Sequence, residues 1–93
     1  MKIANFKLTQ SAEEDLLNIA LFGMKRFGIR QSEEYKNQLL QRFQEIAEAP
    51  LIYPSVDNIR QGYRRSVCGS HSIYYRIQEN YIEIMRIIGQ ENF

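Results

Sequence analysis

Apolar and polar positions alternate along this chain in two different periods, and the change of period divides it. From Gly62 to Gly89, β-branched and aromatic residues recur in the two-residue period of a pleated strand. Two breaks interrupt that run. Cys68-Gly69-Ser70 brings a glycine able to take positive φ, and Glu79-Asn80 brings an asparagine that tolerates the left-handed region. The stretch predicts three strands, and connections this short make neighbours antiparallel. In the middle strand Ile73, Tyr75 and Ile77 fall on one side and Ser72, Tyr74 and Arg76 on the other, so one face is expected to be buried and the other partly wet.

Upstream, Ile3 to Leu8 alternates imperfectly and predicts a first strand. The period then lengthens to that of a helix. Thr9 or Ser11 can accept the first free backbone N–H groups, and Glu13, Glu14 and Asp15 complement the positive end of the helix dipole. Ala12, Leu16, Ile19, Ala20, Gly23 and Phe27 form the apolar stripe, and Leu17, Leu21 and Met24 widen it toward a second contact. Gly28 ends this helix after about Phe27. A second helix follows from about Arg30 to Ala49, with Tyr35, Leu39, Leu40, Phe43, Ile46 and Ala47 as its apolar face and Pro50 as its stop. Helices joined so closely fold back as a hairpin able to cover the sheet. Leu51 to Ile59 reads as a loop returning Ile52, Tyr53 and Val56 to the core, and Gln90 to Phe93 as a short tail. The fold class is α+β: an N-terminal strand, then an antiparallel two-helix hairpin packed on an antiparallel sheet that a C-terminal three-strand meander completes.

Composition narrows the chemistry. The 93 residues suit one domain across the whole chain, 1–93. A single cysteine, Cys68, excludes an internal disulfide framework and suits a reducing cytoplasm. Cys68 reads as a small residue at a strand end, because His71 shares its turn and no third group is placed to orient a nucleophile pair. No histidine or cysteine cluster has metal-ligand spacing, so neither metal nor cofactor is implied. The start of the chain lacks a signal-peptide core and no run reaches the length of a membrane span, so a soluble, cytoplasmic protein with no membrane contact is expected. A formal charge of +1 gives no overall reason to expect nucleic-acid binding. The basic excess sits on the sheet half, where Arg60, Arg64, Arg65, Arg76 and Arg86 face Glu79, Glu83 and Glu91.

The ordered set Leu8-Thr9-x-x-Ala12-x-x-Asp15-Leu16-x-x-Ile19, Phe27-Gly28, Arg64, Tyr75-Arg76-Ile77 and Glu83-Ile84-Met85-Arg86-Ile87-Ile88 resembles the ParE branch of the RelE/ParE toxin superfamily, also known as plasmid stabilisation proteins. The resemblance covers nearly the whole chain. It implies the toxin of a type II toxin–antitoxin pair, one that inhibits DNA gyrase by direct binding and is neutralised by a ParD-type antitoxin. The RelE branch implies an alternative, cleavage of ribosome-bound messenger RNA. That reaction needs cations and an acid or base around the scissile phosphate. Where those relatives carry an arginine on the third strand this chain has Ser72, and where they carry a basic run and a late tyrosine it has Gln90-Glu91-Asn92 and Phe93. His71 reads as a polar turn residue. The expectation is a non-catalytic inhibitor with no catalytic residues, acting by surface fit. The tail also departs from the ParE pattern, which usually has a histidine and basic residues after the last strand.

Arginine and tyrosine dominate interface hot spots. Arg64, Arg65, Tyr74, Arg76 and Arg86, with Phe93 in the tail, are therefore the candidates for target contact, each weighed against a solvated, ion-paired strand residue. Phe22, Met24 and Leu40 exceed what one apolar stripe requires and, with Tyr63, are the candidates for an amphipathic antitoxin segment. For Leu40 contact between the two helices is the simpler reading.

Overall fold

Thr9 both ends the first strand and starts the first helix. In the computed structural model, which describes residues 5–89, strand β1 (Phe6–Leu8) leads into helix α1 (Gln10–Phe27). The Thr9 hydroxyl accepts the Ala12 N–H at 3.0 Å and donates to the Met85 carbonyl at 2.9 Å, so one side chain caps the helix and ties it to the sheet. Gly28, at φ 93°, closes α1 and opens helix α2 (Ile29–Glu48). Only glycine takes that conformation without strain, and it lets the chain reverse within one residue. The helix bounds match those expected to within a residue or so.

Strands β2 (Arg64–Cys68), β3 (His71–Ile77) and β4 (Ile82–Gly89) form the antiparallel meander the alternation predicts. The sheet order is β1-β4-β3-β2. It differs from an all-antiparallel sheet at one edge, where β1 runs parallel to β4. The hairpin carries the chain from β1 to the far edge of the sheet, and two reversals then bring β4 back alongside β1 in the same direction. The α+β class holds, with a mixed sheet.

A bulge decides which residues of β4 face inward. Tyr74 pairs with Arg86 and Tyr75 with Ile84, leaving Met85 as an extra residue. Below the bulge Ile82 and Ile84 point into the core, and above it Ile87 does, because one inserted residue moves every later side chain to the opposite face. Arg86 and Ile88 are thereby kept out of the core. The core is built from Leu39, Phe43, Ile46 and Ala47 of α2 against Ile73, Tyr75, Ile82, Ile84 and Ile87 of the sheet, with Ala12 of α1 and Cys68 of β2.

Three expectations are corrected. Tyr74 and Ser72, placed on a partly wet face, are both buried, whereas Ile77 on the core side is only half-buried. Phe27 at the end of the α1 stripe is exposed, since the helix runs past the sheet it covers. Of the loop residues, Val56 is buried and Tyr53 half-buried, but Ile52 is exposed. The loop is held at the sheet edge instead. Val56 N–H donates to Tyr63 O, Arg65 N–H donates to Pro54 O, and Ser55 bridges Arg64, so backbone pairing covers the first half of β2. Among the described residues no helix is long and apolar enough to cross a membrane.

Candidate functional site

Two surfaces carry the candidate residues. The first is the sheet face turned away from the helix pair. Strand alternation and register put Arg65, Tyr74 and Arg86 in one row across β2, β3 and β4, with Arg76 opposite Glu83 in the next row. Arg60, Tyr63, Met85 and Arg86 surround a small hollow on the same side, closed by the α1 start at Thr9 and Gln10. The Arg60 guanidinium lies 5.7 Å from the Tyr63 ring centre, a cation–π arrangement. Tyr63, expected to meet an antitoxin, is placed beside Arg60 and Arg86 on this face. Tyr74, at 6% exposure, is the floor of the row and presents no free surface.

The arginines differ in how firmly they are held. Arg86 donates from Nε and Nη2 to the two Asp15 oxygens at 2.7 and 3.1 Å, and the same carboxylate accepts the Ile87 N–H at 2.9 Å. The fork fixes the guanidinium plane, and its hydrogen bond to Asp15 raises the Arg86 pKa further above its ordinary value. Asp15, read from sequence as a helix-dipole acid, thus spans the junction where β1 has ended and α1 takes over the edge of β4. Arg76 pairs with Glu83 at 3.2 Å, an exposed contact of small energetic worth. Arg64 is not on this face. It pairs with the core residue Tyr75 in the ladder and donates to the Tyr53 carbonyl at 2.6 Å, bracing the loop. Phe93 lies outside the described residues.

The second surface is a groove of about 720 Å³ between α1, α2 and the ends of β3 and β4. Ile19, Phe22, Phe27 and Ile87 make its walls apolar, and Asp15, Gln31 and Gln38 supply polar groups at intervals. Phe22 is 62% exposed with its ring at the groove. The other residues assigned to an antitoxin are placed elsewhere. Leu40 packs half-buried against the core, and Met24 points off the outer side of α1, because helical rotation sets it well over a quarter turn from Phe22.

At one end of the groove sits a cluster that strand and helix periodicity did not reveal. The Tyr35 hydroxyl lies 2.6 Å from His71 Nδ1, accepts the Ser70 N–H at 3.1 Å and is 3.3 Å from the Cys68 carbonyl. It therefore clamps the β2–β3 turn to α2. Gly69 at φ 60° is required there twice over, since a Cβ would also meet the Tyr35 ring at 2.6 Å. Tyr35 occupies an apolar position of the α2 stripe, so its period reads as core; only the fold brings it to His71. Burial pushes the Cys68 thiol pKa up, which suits a packed thiol more than a nucleophile. Among the described residues no group of histidine, cysteine and carboxylate side chains is arranged to hold a metal ion.

A helix hairpin laid over a short mixed sheet, with an arginine row on one side and an open apolar groove on the other, defines a small protein equipped to meet other macromolecules. Residues 6–92 match the family described as "ParE toxin of type II toxin-antitoxin system, parDE". The chain is 34% identical over 85 residues to Toxin ParE1 of Caulobacter vibrioides, covering 91% of this chain and 88% of that one. It is 32% identical over 88 residues to Toxin ParE1 of Mycobacterium tuberculosis, covering 94% and 90%. This chain belongs to the ParE toxin family. The solved chromosomal ParDE TA system from P. aeruginosa contains a chain of the same fold, with a TM-score of 0.82, 17% identity and coverage of 94% and 96%.

Proposed function

We propose that this ParE-family toxin acts by binding and inhibiting DNA gyrase, and that an antitoxin of the ParD type holds it inactive. The observation that carries the reading is membership of the ParE family over residues 6–92, read together with the placement of the arginines. Arg86 and Arg76 are paired with carboxylates, which offsets the charge that they could bring to a reacting phosphate. The same fixed fork suits recognition of a protein surface, where a pre-oriented guanidinium loses little freedom on contact. Arg65 and Arg86 are the residues of the row available for the target, and Phe22 with the groove walls is the seat for an apolar antitoxin segment. A cytoplasmic place of action accords with both partners.

The test adds purified toxin to gyrase and follows supercoiling of relaxed plasmid. Inhibition should rise with dose, and Arg65→Ala should weaken it by about tenfold, the scale of an interface hot spot. Absence of inhibition at large excess, with cleavage of ribosome-bound message instead, would assign the protein to the RelE-type activity. With the antitoxin present, the thermal midpoint should rise, because a ligand that binds only the folded chain stabilises it by linkage. Phe22→Glu should reduce that rise while leaving the midpoint of the toxin alone unchanged.

A further inference from the structure

The turn from α1 to α2 is apolar, exposed and basic at once. Along Met24-Lys25-Arg26-Phe27-Gly28-Ile29-Arg30, three large apolar side chains are interleaved with three cations. Phe27 and Ile29, on either side of Gly28, are 55% and 68% exposed, and Met24 is exposed as well. Leu17 and Leu21 precede Met24 at spacings of four and three residues, so an exposed apolar stripe runs along α1 into the turn. Scattered single apolar residues on a surface are ordinary, but a contiguous group marks a contact.

The charges say what the contact is made with. No aspartate or glutamate occurs between Asp15 and Glu33, an interval that holds Lys25, Arg26 and Arg30. Among the described residues Lys25 and Arg26 make no ion pair, and Arg30 has an exposed one with Glu34 at 3.5 Å. Basic residues in a last helical turn answer the helix dipole, which accounts for Lys25 and Arg26 but not for the exposed apolar residues beside them. A protein partner favours anchors seated in pockets and charges held in fixed pairs. Long cations without fixed partners suit a surface that offers negative charge in no set register, such as phosphate headgroups over hydrocarbon. Their stems can lie along buried apolar side chains while the charges stay at headgroup level. Glu13, Glu14 and Asp15 at the other end of α1 are repelled by the same surface, so charge turns the hairpin end toward it.

We propose that the end of the helix hairpin binds the surface of an anionic phospholipid bilayer. Met24, Phe27 and Ile29 enter the boundary between headgroups and acyl chains, while Lys25, Arg26 and Arg30 meet the phosphates. The contact is peripheral, since no described helix is long and apolar enough to cross a membrane. It differs from the expectation of no membrane contact, which followed from the lack of a spanning run. Each cation beside such a surface strengthens binding about fivefold, so anionic vesicles should be preferred over neutral ones by about a hundredfold.

The test mixes the purified chain with unilamellar vesicles of phosphatidylcholine alone, or of phosphatidylcholine and phosphatidylglycerol in equal parts, and reads the bound fraction by cosedimentation. Half of the chain should be bound at on the order of 0.1 mM lipid in the anionic vesicles, and added salt should release it. Lys25→Gln combined with Arg26→Gln should weaken uptake about twentyfold. Phe27→Ser combined with Ile29→Ser should weaken it about tenfold at unchanged charge. Ile52→Ser, at an exposed apolar residue of the loop before β2, should change nothing. The chain has no tryptophan, so Phe27→Trp supplies a single reporter that keeps the apolar ring. Its emission should move to the blue when anionic vesicles are added, a readout that a folding defect in the serine variants does not touch. Equal uptake by neutral and anionic vesicles, no uptake by either, an unmoved Phe27→Trp emission, or a loss from Ile52→Ser as large as that from the turn would overturn the proposal. So would tighter binding to a labelled DNA duplex than to the vesicles through Lys25 and Arg26, which would give the turn to nucleic acid.

Discussion

The two helices are of similar length and lie side by side, yet they do different work. Helix α2 buries Leu39, Phe43, Ile46 and Ala47, whereas α1 buries only Ala12 completely. Phe43 touches both the strand edge, where its ring meets that of Phe6 edge-on at 5.5 Å, and the centre of the sheet core. Helix α1 is attached by Ala12 with the half-buried Leu16 and Ile19 against the core, by polar groups at its first turns, Thr9 and Asp15, and by the close approach of Gly23 to Ser32, whose hydroxyl donates to the Ala20 carbonyl at 2.7 Å. An element with a narrow stripe on the core keeps much of its apolar surface for others. An element that fills the core keeps little, and on α2 it is Ile29, at the first position, that stays exposed.

Substitutions can break that contrast, and Phe43→Ala should do most damage. It removes a fully buried ring and should lower stability by about 3–5 kcal/mol, read as a fall in the urea midpoint. Next comes Asp15→Ala, which strips the fork from Arg86 and orphans the Ile87 N–H. A loss of about 2 kcal/mol is expected, with faster amide exchange confined to α1 and the upper half of β4.

Tyr75→Phe comes third. Its hydroxyl donates to the Pro50 carbonyl at 2.6 Å, and losing that bond should cost about 1 kcal/mol at neutral pH. Burial pushes the Tyr75 phenol up to about 12, so between pH 10 and 12 the unfolded chain releases a proton that the folded one retains. Stability must then fall as pH rises through that window, and Tyr75→Phe should flatten the fall while being less stable below it. The smallest effect belongs to the outside of α1. Leu17→Ala should shift the stability of the dilute toxin by no more than about 0.5 kcal/mol, and a larger loss would mean that α1 is a core helix after all.

Much of the architecture could be read in advance, for identifiable reasons. The cap at Thr9 and the glycines at 28 and 69 act within a few residues of themselves, and so do the strand and helix periods. The pairing of β1 with β4 could not be read, because three alternating residues specify a strand and not its neighbour. The Met85 bulge was also hidden. Counting by two from Ile82 places Arg86 and Ile88 inside, and only the ladder with β3 reveals the extra residue. The candidate residues fared unevenly: Arg65, Arg86 and Phe22 sit on surfaces that can meet a partner, whereas Tyr74 and Leu40 are taken up by packing and Arg64 by the loop.

By itself the sequence determined the elements, their ends and the family to which the chain belongs, since these rest on local backbone preference and on an order of residues. The tertiary structure alone decided that Arg76 and Arg86 would be paired with carboxylates, that Tyr35 would meet His71, and that Asp15 would reach Arg86 across 71 positions. Those facts depend on which segments become neighbours in space, and a hydrogen bond of under 3 Å is indifferent to the length of chain that separates its ends.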